Sequence, residues 1–449
     1  MEAPVKDLRL DTSYRQILKI SLPITAAILV PQFNFIINNI FLSGLGQREL
    51  AVAGITGVYY LIFAVIGMGL NNGLQALISR KAGENDYEGI GKLFNQGVIM
   101  SFIIAAFGIT CTYLLAPVVL KNTLHDEGNV RMAVQFLSIR IWGLPFLYIY
   151  QMRNALLVGT NNSNFLILGT LAEALTNIFF DYSLIYGKFG MPELGFNGAA
   201  IASIIAEFTG LFIIFLVMHY KGITKQFRLF ASVTYEKVVS KEIFRMSSPL
   251  ILQHAISIIS WEFFYILIEH HGERDLAVSN TMRNIFGFFG CFTWAFASTT
   301  NTMVSNVIGQ GLQQKVIPLI WKIIQLSLGF ATAVVLTLNL YPEWFLSFYD
   351  QGDDFIHAAV PVVRIVSIAM LLMSVSVVWL NAVVGTGNSK MNLFTETIAI
   401  VAYCCYVYYV LEYRNLPITW GWASEWLYWT VLFIPSYWYI MSGRWKKLI

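Results

Sequence analysis

The stretch GQRELAV, residues 46–52, returns almost unchanged as GERDLAV, residues 272–278. The shift from position 46 to position 272 is 226 positions, close to half of the chain length of 449. This repeat offset also relates other separated landmarks: Pro23 and Pro249, Ser79 and Ser305, Gly83 and Gly309, and Gly159-Thr160 and Gly385-Thr386. Because one offset joins all of them, the chain is predicted to be an internal duplication of two similar halves.

The composition is that of an integral membrane protein. Hydrophobic residues make up 57% of the chain and charged residues only 12%, against about 25% charged residues in ordinary soluble domains. The mean hydropathy is +0.62. The net charge of +3 is too small to favour a nucleic-acid partner, so the expected surroundings are the lipid bilayer.

Twelve apolar stretches are long enough to cross a membrane, since a helix needs about 20 apolar residues to do so. The predicted fold is therefore an all-α polytopic membrane protein with two pseudo-symmetric six-helix bundles. Six spans per half is an even number, so both halves have the same topology, as in parallel-repeat transporters. We predict an N-terminal lobe over 1–218, a cytoplasmic linker over 219–242 and a C-terminal lobe over 243–449. The spans lie near 16–43, 51–79, 93–120, 131–157, 164–187, 196–219, 243–269, 276–308, 316–340, 355–384, 391–411 and 419–442.

The basic residues predict the orientation. With both termini in the cytoplasm, 19 of the 29 Lys and Arg residues lie inside and only six lie in outer loops, as the positive-inside rule requires. We expect a monomeric, multi-pass membrane protein with both termini in the cytoplasm.

The chain lacks the residues that several other classes of protein would need. The four cysteines lie in apolar segments without metal-site spacing. No glycine-rich loop followed by lysine is present for ATP, and no Ser/His dyad or aspartate pair at matched depth is present for an intramembrane enzyme. We therefore expect neither catalysis nor an organic cofactor. A non-transporting receptor or scaffold is the other class, and the internal duplication disfavours it.

A set of ordered motifs resembles a known transporter family. The set begins with Pro23 and the end of the first span, NNIFL followed by GLGQREL. It continues through SRKAG at 79–83, Asn177-x-x-x-Asp181-Tyr182, LGFNGAAIA at 194–202, SWEFF at 260–264, IGQG at 308–311 and GTGN at 385–388. In order and spacing these motifs resemble the multidrug and toxic compound extrusion (MATE) transporters, most closely their Bacteroidetes-like branch.

The resemblance implies efflux of amphipathic or cationic organic compounds, driven by inward flow of Na⁺ or H⁺. Where the family usually carries an aspartate in the first span, this chain has Asn38. The alternative within the same superfamily is a lipid-linked sugar flippase. Flippases usually have more basic residues facing the cavity, and these are not evident here.

The carboxylates inside the spans are candidate functional groups, because a charged group at the bilayer centre costs roughly 3 kcal/mol on insertion scales. Glu173, Asn177 and Asp181 are spaced four apart and share a helical stripe. Asp181 and Asn38 are expected at similar depth in the outer half of the membrane. One carboxylate with amide oxygens suits a monovalent cation or a proton, and Ser203 is a looser candidate for another oxygen. No other metal is expected.

Four acids of the spans allow more than one interpretation. Glu262 is a candidate substrate or proton site, but it could instead pair with Arg283. Glu173 is the other candidate of this kind. Glu396 and Glu425 lie towards the ends of their spans, where contact with interfacial water is an equally good explanation.

Overall fold

The computed structural model describes residues 7–124, 126–231, 234–347, 349 and 352–448, and α-helices dominate it. Short 3₁₀ turns join or extend several helices, and a π-helical turn, Tyr408–Tyr413, extends α14. The helices are α1 Tyr14–Ser43, α2 Gln47–Gly83, α3 Tyr87–Thr123, α4 Glu127–Arg140, α5 Leu144–Gly159, α6 Leu166–Tyr186, α7 Phe196–Tyr220, α8 Ile223–Gln226, α9 Lys237–Glu269, α10 Glu273–Gly309, α11 Val316–Leu340, α12 Pro342–Ser347, α13 Asp353–Gly385, α14 Ser389–Val407, α15 Ile418–Trp422 and α16 Ser424–Met441.

Ten helical segments in the described part of the chain are long and apolar enough to cross a membrane by length and composition. α4 and α5 count as one of these segments, Glu127–Gly159. The other two predicted spans correspond to α10 and α16. α10 carries buried Thr and Asn side chains, and its polar groups bond within the protein: Ser305 donates to the carbonyl of Gly385 at 2.9 Å. α16 is rich in Trp and Tyr, which add little to hydropathy.

The duplication is visible in the helix boundaries. α2 and α10 begin and end at positions that differ by the repeat offset, and so do the segments Glu127–Gly159 and Asp353–Gly385. The turns repeat as well, because residues with positive φ recur at the same offset. These pairs are Gly46 and Gly272, Asn85 and Gly311, Asn161 and Gly387, and Phe189 and Asn415. Non-glycine residues rarely adopt this conformation, so the recurrence shows that the two halves share one backbone plan.

The helices group into two compact units. Of the described residues, the first contains those between 26 and 251 together with Asp7 and Leu8, and the second contains Arg9–Thr25 and those from Leu252 onwards. In the second unit, the segment before α1 is bonded to α10: the Leu10 amide donates to Asn306 Oδ1 at 3.0 Å, and Gln310 donates to the Leu10 carbonyl at 2.9 Å.

The linker between the predicted lobes packs against α3, although residues 232–233 of it lie outside the described part. The Phe230 amide donates to Asn95 Oδ1 at 3.0 Å. Gln96 donates to the Thr234 carbonyl at 2.7 Å and accepts from the Ser240 hydroxyl at 3.0 Å. The described linker residues are therefore anchored to the first unit. The lobe boundaries 1–218, 219–242 and 243–449 stay a prediction.

Candidate ion site in the first unit

The centre of the candidate site lies on α6. Asn177 and Asp181 are four residues apart on this helix, so their side chains point the same way. They are 3% and 1% exposed, respectively. α6 packs tightly on α7, where a Cβ added to Gly198 would lie 2.7 Å from the backbone of Leu184. The backbones of α6 and α7 are therefore in close contact near the C-terminal end of α6.

α1 supplies the facing amides. The Nδ2 atoms of Asn34 and Asn38 donate to Oδ1 of Asn177 at 2.8 and 2.9 Å. Near the C-terminal ends of the same helices, the Tyr186 hydroxyl donates to the Phe41 carbonyl at 2.6 Å. The two helices are therefore bonded at two levels, which fixes the amides of α1 beside the carboxylate of α6.

Asp181 and Asn38 are in direct contact. Oδ2 of Asp181 lies 2.6 Å from one terminal atom of the Asn38 amide, and the other terminal atom lies 2.9 Å from Asn177 Oδ1. If Asn38 donates to Asn177, its oxygen faces the Asp181 carboxylate. If the amide alone is turned to donate to Asp181, its oxygen faces that of Asn177. If the Asn38 and Asn177 amides are both turned, Asn38 donates to Asp181 Oδ2 at 2.6 Å and accepts from Asn177 at 2.9 Å, so the Asn38 amide of α1 bonds directly to the carboxylate and to the Asn177 amide of α6.

The cluster also contains polar atoms that are not satisfied. Asp181 Oδ1, Asn34 Oδ1 and Asn177 Nδ2 are buried and have no hydrogen-bond partner among the described residues. No Lys or Arg side chain in this part of the chain forms an ion pair with Asp181. A buried carboxylate without a counter-charge is unstable when ionised. The site therefore combines one acid, three amides and free oxygens, a donor set suited to a hard monovalent cation or a proton.

Two of the predicted residues do not join this cluster by hydrogen bonds. Ser203 on α7 is half-buried and makes no hydrogen bond to Asp181 or Asn177 within the described residues. Glu173 lies two turns before Asp181 on α6 and packs at the contact with α7, where its Oε2 lies 3.3 Å from a Cβ built on Gly210. The assignment of Ser203 to ion coupling and of Glu173 as a possible substrate or proton site both stay predictions.

A second charged group of the same unit is the Arg140–Glu207 ion pair. Arg140 forms a two-pronged pair with Glu207 on α7, at 3.1 Å from Nη1 to Oε2 and 2.5 Å from Nη2 to Oε1. The Arg140 guanidinium also lies 4.1 Å from the centre of the Tyr60 ring. Arg140 acts electrostatically on Asp181, but its donors are committed to Glu207. The pair therefore anchors α4 to α7.

Arg153 on α5 is 1% exposed. It stacks at 3.8 Å over the ring of Tyr150 and donates to Asn154 Oδ1 at 2.7 Å. Its Nε and Nη1 atoms have no hydrogen-bond partner in the described part of the chain. This second buried arginine is thus held mainly by an aromatic ring.

The predicted alternative of a Glu262–Arg283 pair is wrong, since these residues form no ion pair among the described residues. Both side chains are exposed, and the Arg283 guanidinium lies 5.0 Å from the centre of the Tyr265 ring. An aromatic face competes for arginine at such a site. Glu262 is left without a cationic partner in the described part of the chain, so its role in recognising substrate or a proton stays a prediction.

Sequence reasoning did not single out Asn34. Its spacing of four from Asn38 was the available signal, because it places both amides on one face of α1. The sequence also placed Glu396 and Glu425 near interfacial water, whereas the structure buries them to 1% and 2% exposure. Burial of this kind depends on neighbouring helices and is not visible from position along a span.

Comparisons with known proteins cover the whole chain. A family model described as MatE matches twice, over residues 23–183 and 249–410, and the starts of these two matches differ by the repeat offset. A Thermotoga maritima protein named "Probable multidrug resistance protein NorM" is 22% identical over 441 residues, covering 96% of this chain and 93% of the relative. A Synechocystis protein of the same name is 22% identical and covers 86% and 85%.

Solved structures share the fold. A structure described as an outward-facing multidrug resistance MATE family transporter of the MOP superfamily has a TM-score of 0.89 at 19% identity, covering 99% of this chain and 98% of its own. A MOP superfamily transporter from Pyrococcus furiosus has a TM-score of 0.88 at 18% identity, covering 98% of each chain. MATE structures have twelve transmembrane helices, so the predicted all-helical class and number of spans are confirmed.

Proposed function

We propose that this chain, which belongs to the MatE family, is a secondary antiporter that exports amphipathic or cationic organic compounds in exchange for Na⁺ or H⁺. Multidrug resistance is the function in the names of its NorM relatives. The observation that carries the ion-driven mechanism is the uncompensated Asp181 carboxylate, buried against Asn34, Asn38 and Asn177.

The ion would bind because it removes an electrostatic penalty. An ionised carboxylate in a dry bundle is destabilised, and a bound cation or proton neutralises it. The site can therefore favour one arrangement of the unit when it is occupied and another when it is empty. A ligand shifts a conformational equilibrium only by its differential affinity for the two states, and the unsatisfied oxygens are the source of that difference here.

We expect the site to bind one positive charge in each transport cycle. Asp181 is the only acid in the cluster as the described residues form it, and Asn38 stands where the family usually has an aspartate. The three amides can supply neutral oxygens or hydrogen bonds but no further negative charge. One monovalent cation or one proton is therefore enough to neutralise the site in each cycle.

The exported compounds would be small amphipathic or cationic organic molecules. Glu262 is exposed and has no ion pair with the described residues, which suits it to attract a cation. The protein crosses the membrane many times. We place it in a bacterial inner membrane with both termini in the cytoplasm, because that orientation puts most of its Lys and Arg residues inside. It is expected to act as a monomer.

Accumulation of a fluorescent cationic dye in cells expressing the protein tests this function. We expect Asp181→Asn to lower ion-driven efflux at least ~10-fold, because it removes the acid that the coupling ion neutralises. A tenfold loss corresponds to about 1.4 kcal/mol. Collapsing the Na⁺ gradient and the proton gradient separately identifies the ion. Glu88→Gln is the matched control, since it removes an exposed carboxylate of the same unit.

Asn38→Asp sharpens the result. A second carboxylate beside Asp181 demands a second positive charge, so the Na⁺ or pH dependence of efflux should shift while activity is retained. Normal efflux by Asp181→Asn, with unchanged ion dependence and normal membrane expression, would show that coupling occurs elsewhere.

A further inference from the structure

The start of α9 carries a row of exposed cations that the proposed efflux mechanism does not use. Lys237, Lys241 and Arg245 are spaced four apart, so their side chains lie along one face of the helix, and all three are exposed. Two apolar side chains flank the row: Val238 is 82% exposed and Phe244 is 60% exposed. Together these five residues form a surface that we call the basic stripe.

The opposite face of the same turns is packed within the first unit. Ser240 and Ser247 are buried. The Ser240 hydroxyl donates to Gln96 Oε1 of α3 at 3.0 Å. α2 approaches α9 so closely that a Cβ built on Gly73 would lie 3.0 Å from the Cα of Ser247. The backbone of the stripe is therefore fixed by buried contacts, and its exposed side chains are available to a partner.

The charges of the stripe are unfavourable in the chain alone. Like charges four residues apart on a helix repel each other, and the first turn of α9 contains no acidic residue to offset the helix dipole. Neither lysine of the stripe forms an ion pair with a described residue. The two acids beside the stripe act electrostatically on other cations, Glu236 on Lys92 and Glu242 on Arg80. An external anion would therefore lower the repulsion within the stripe.

α9 is too long to lie wholly within the hydrocarbon of a membrane. Its 33 residues extend about 50 Å, whereas the hydrocarbon core is about 30 Å thick. Lys237 is the first residue of α9, so the stripe lies at the level of the lipid headgroups or just beyond it. Tyrosine is enriched at this level, and Tyr235, two residues before the helix, is 59% exposed.

Part of the stripe recurs in the first half of the chain. Its two later cations correspond to Arg15 and Lys19 of α1, which are also exposed. Its first cation, Lys237, corresponds to Asp11. The positive-inside rule requires an excess of cations but no particular spacing, so it does not account for the recurring interval of four. Of the two helices, α9 carries the longer row and has no acid within it.

From this geometry we propose that the basic stripe binds the headgroups of anionic phospholipids in the leaflet beside the linker, which is the cytoplasmic leaflet in the proposed orientation. Each cation would donate to phosphate oxygens, and anionic lipids attract basic segments that lie near the membrane surface. Val238 and Phe244 would pack on the upper part of the acyl chains, since both are exposed and apolar. Because of this apolar flank, a lipid fits the surface better than a soluble phosphate compound or an acidic protein segment does.

Thermal unfolding of the purified, delipidated full-length protein in a non-ionic detergent tests the proposal. The protein is titrated with dioctanoylphosphatidylglycerol, which is anionic, and with dioctanoylphosphatidylcholine, which is zwitterionic and has the same chains. A ligand that binds the folded state raises the unfolding temperature once its concentration exceeds its dissociation constant. We expect phosphatidylglycerol to act at much lower concentration than phosphatidylcholine. Glycerol 3-phosphate, which has the phosphate but no chains, should have little effect.

The double variant Lys237→Gln, Lys241→Gln should weaken the apparent affinity for phosphatidylglycerol about 25-fold, because each cation near a membrane surface contributes about fivefold. The matched control is Lys315→Gln, Lys390→Gln, which removes two exposed lysines outside the stripe and should keep the wild-type affinity. Without lipid, the stripe variant should unfold at the wild-type temperature or slightly above it, since it removes like-charge repulsion.

A charge exchange separates the stripe from the net charge of the linker. Lys241→Glu combined with Glu242→Lys keeps the net charge but interrupts the stripe, so the apparent affinity for phosphatidylglycerol should fall at least about fivefold.

Wild-type affinity in the double lysine variant or in the charge exchange would overturn the proposal. Equal stabilisation by the two lipids, or by glycerol 3-phosphate, would overturn it as well. A lower unfolding temperature of the lipid-free double variant would also do so, because the lysines would then be bound within the protein. Lipid binding is measured here without transport, so failure of the antiporter function would appear only in the efflux assay.

Discussion

Four positions of the candidate ion site in the first unit can be compared with their repeat equivalents in the second. Asn34, Asn38, Asn177 and Asp181 correspond to Ser260, Phe264, Tyr403 and Val407. In the first unit these positions form a hydrogen-bonded cluster around an acid. In the second unit the Phe264 and Tyr403 rings pack with centroids 6.1 Å apart, and Val407 is fully buried.

The difference shows that the two halves share helix boundaries and turns, although the side chains at equivalent positions differ in chemistry. Helix ends and positive-φ turns repeat at one offset, yet an amide contact in one half has become an aromatic contact in the other. A packed helix pair needs only complementary volume. The same scaffold can therefore hold a polar site or an apolar core at equivalent positions.

The buried ion pair follows the same pattern. Arg140 and Glu207 of the first unit correspond to Val366 and Phe433 of the second. Well-packed apolar residues can replace a buried ion pair without loss of stability, whereas removal of one partner leaves an uncompensated charge. At the equivalent positions of the second unit, Val366 is 1% exposed and the Phe433 ring contacts Trp379 and Tyr437.

The largest effect is expected from breaking that pair. Arg140→Gln should lower the free energy of unfolding by about 3–5 kcal/mol, because Glu207 would stay buried without its cation. Thermal unfolding of the detergent-purified protein measures the change. The double variant Arg140→Val, Glu207→Phe, which copies the second unit, should recover most of the stability.

Lys92→Gln is the control for Arg140, since it removes an exposed cation that pairs with Glu88 and should leave the unfolding temperature unchanged. Equal destabilisation by the single and double Arg140 variants would contradict the comparison, because it would show that the residues do not act as a pair.

An intermediate effect is expected from placing leucine at the two equivalent positions 38 and 264. Asn38→Leu should reduce ion-driven dye efflux about tenfold, because it removes the amide that touches Asp181, and about 1.4 kcal/mol corresponds to that factor. Phe264→Leu removes part of a fully buried ring and should cost about 1–2 kcal/mol of stability, but it should leave the ion dependence of efflux unchanged. Similar ion dependence in both variants would contradict the assignment of the site to the first unit.

The smallest effect concerns the turns. Gly311 has φ of +75° and open space around its Cα, and its equivalent Asn85 has φ of +56°. Gly311→Asn should therefore be nearly neutral. Gly311→Val should lower the free energy of unfolding by about 1–2 kcal/mol, because a β-branched residue is strained there. Thermal unfolding of both variants is the measurement, and equal stability would argue against a conserved turn geometry.

Much of the fold could be predicted from the sequence, because its causes are local or nearly so. Apolar length predicts the membrane helices, and the return of GQRELAV as GERDLAV predicts the duplication that the helix boundaries confirm. The hydropathy of individual segments was less informative for α10 and α16. Their buried polar and aromatic side chains are compatible with membrane helices, because neighbouring helices supply hydrogen-bond partners for the polar groups and packing contacts for the rings.

The sequence by itself determined the membrane class, the repeat and the alignment of Asn177 with Asp181 on one face of α6. Tertiary structure alone decided which groups those residues meet: Asn34 beside Asn177, Glu207 with Arg140, and Gln253 and Tyr428 on Glu396. It also decided that Arg283 contacts Tyr265 and not Glu262. The physical reason is that helix periodicity fixes a side chain's direction within its own helix, whereas its partner and burial depend on the rotation and packing of other helices.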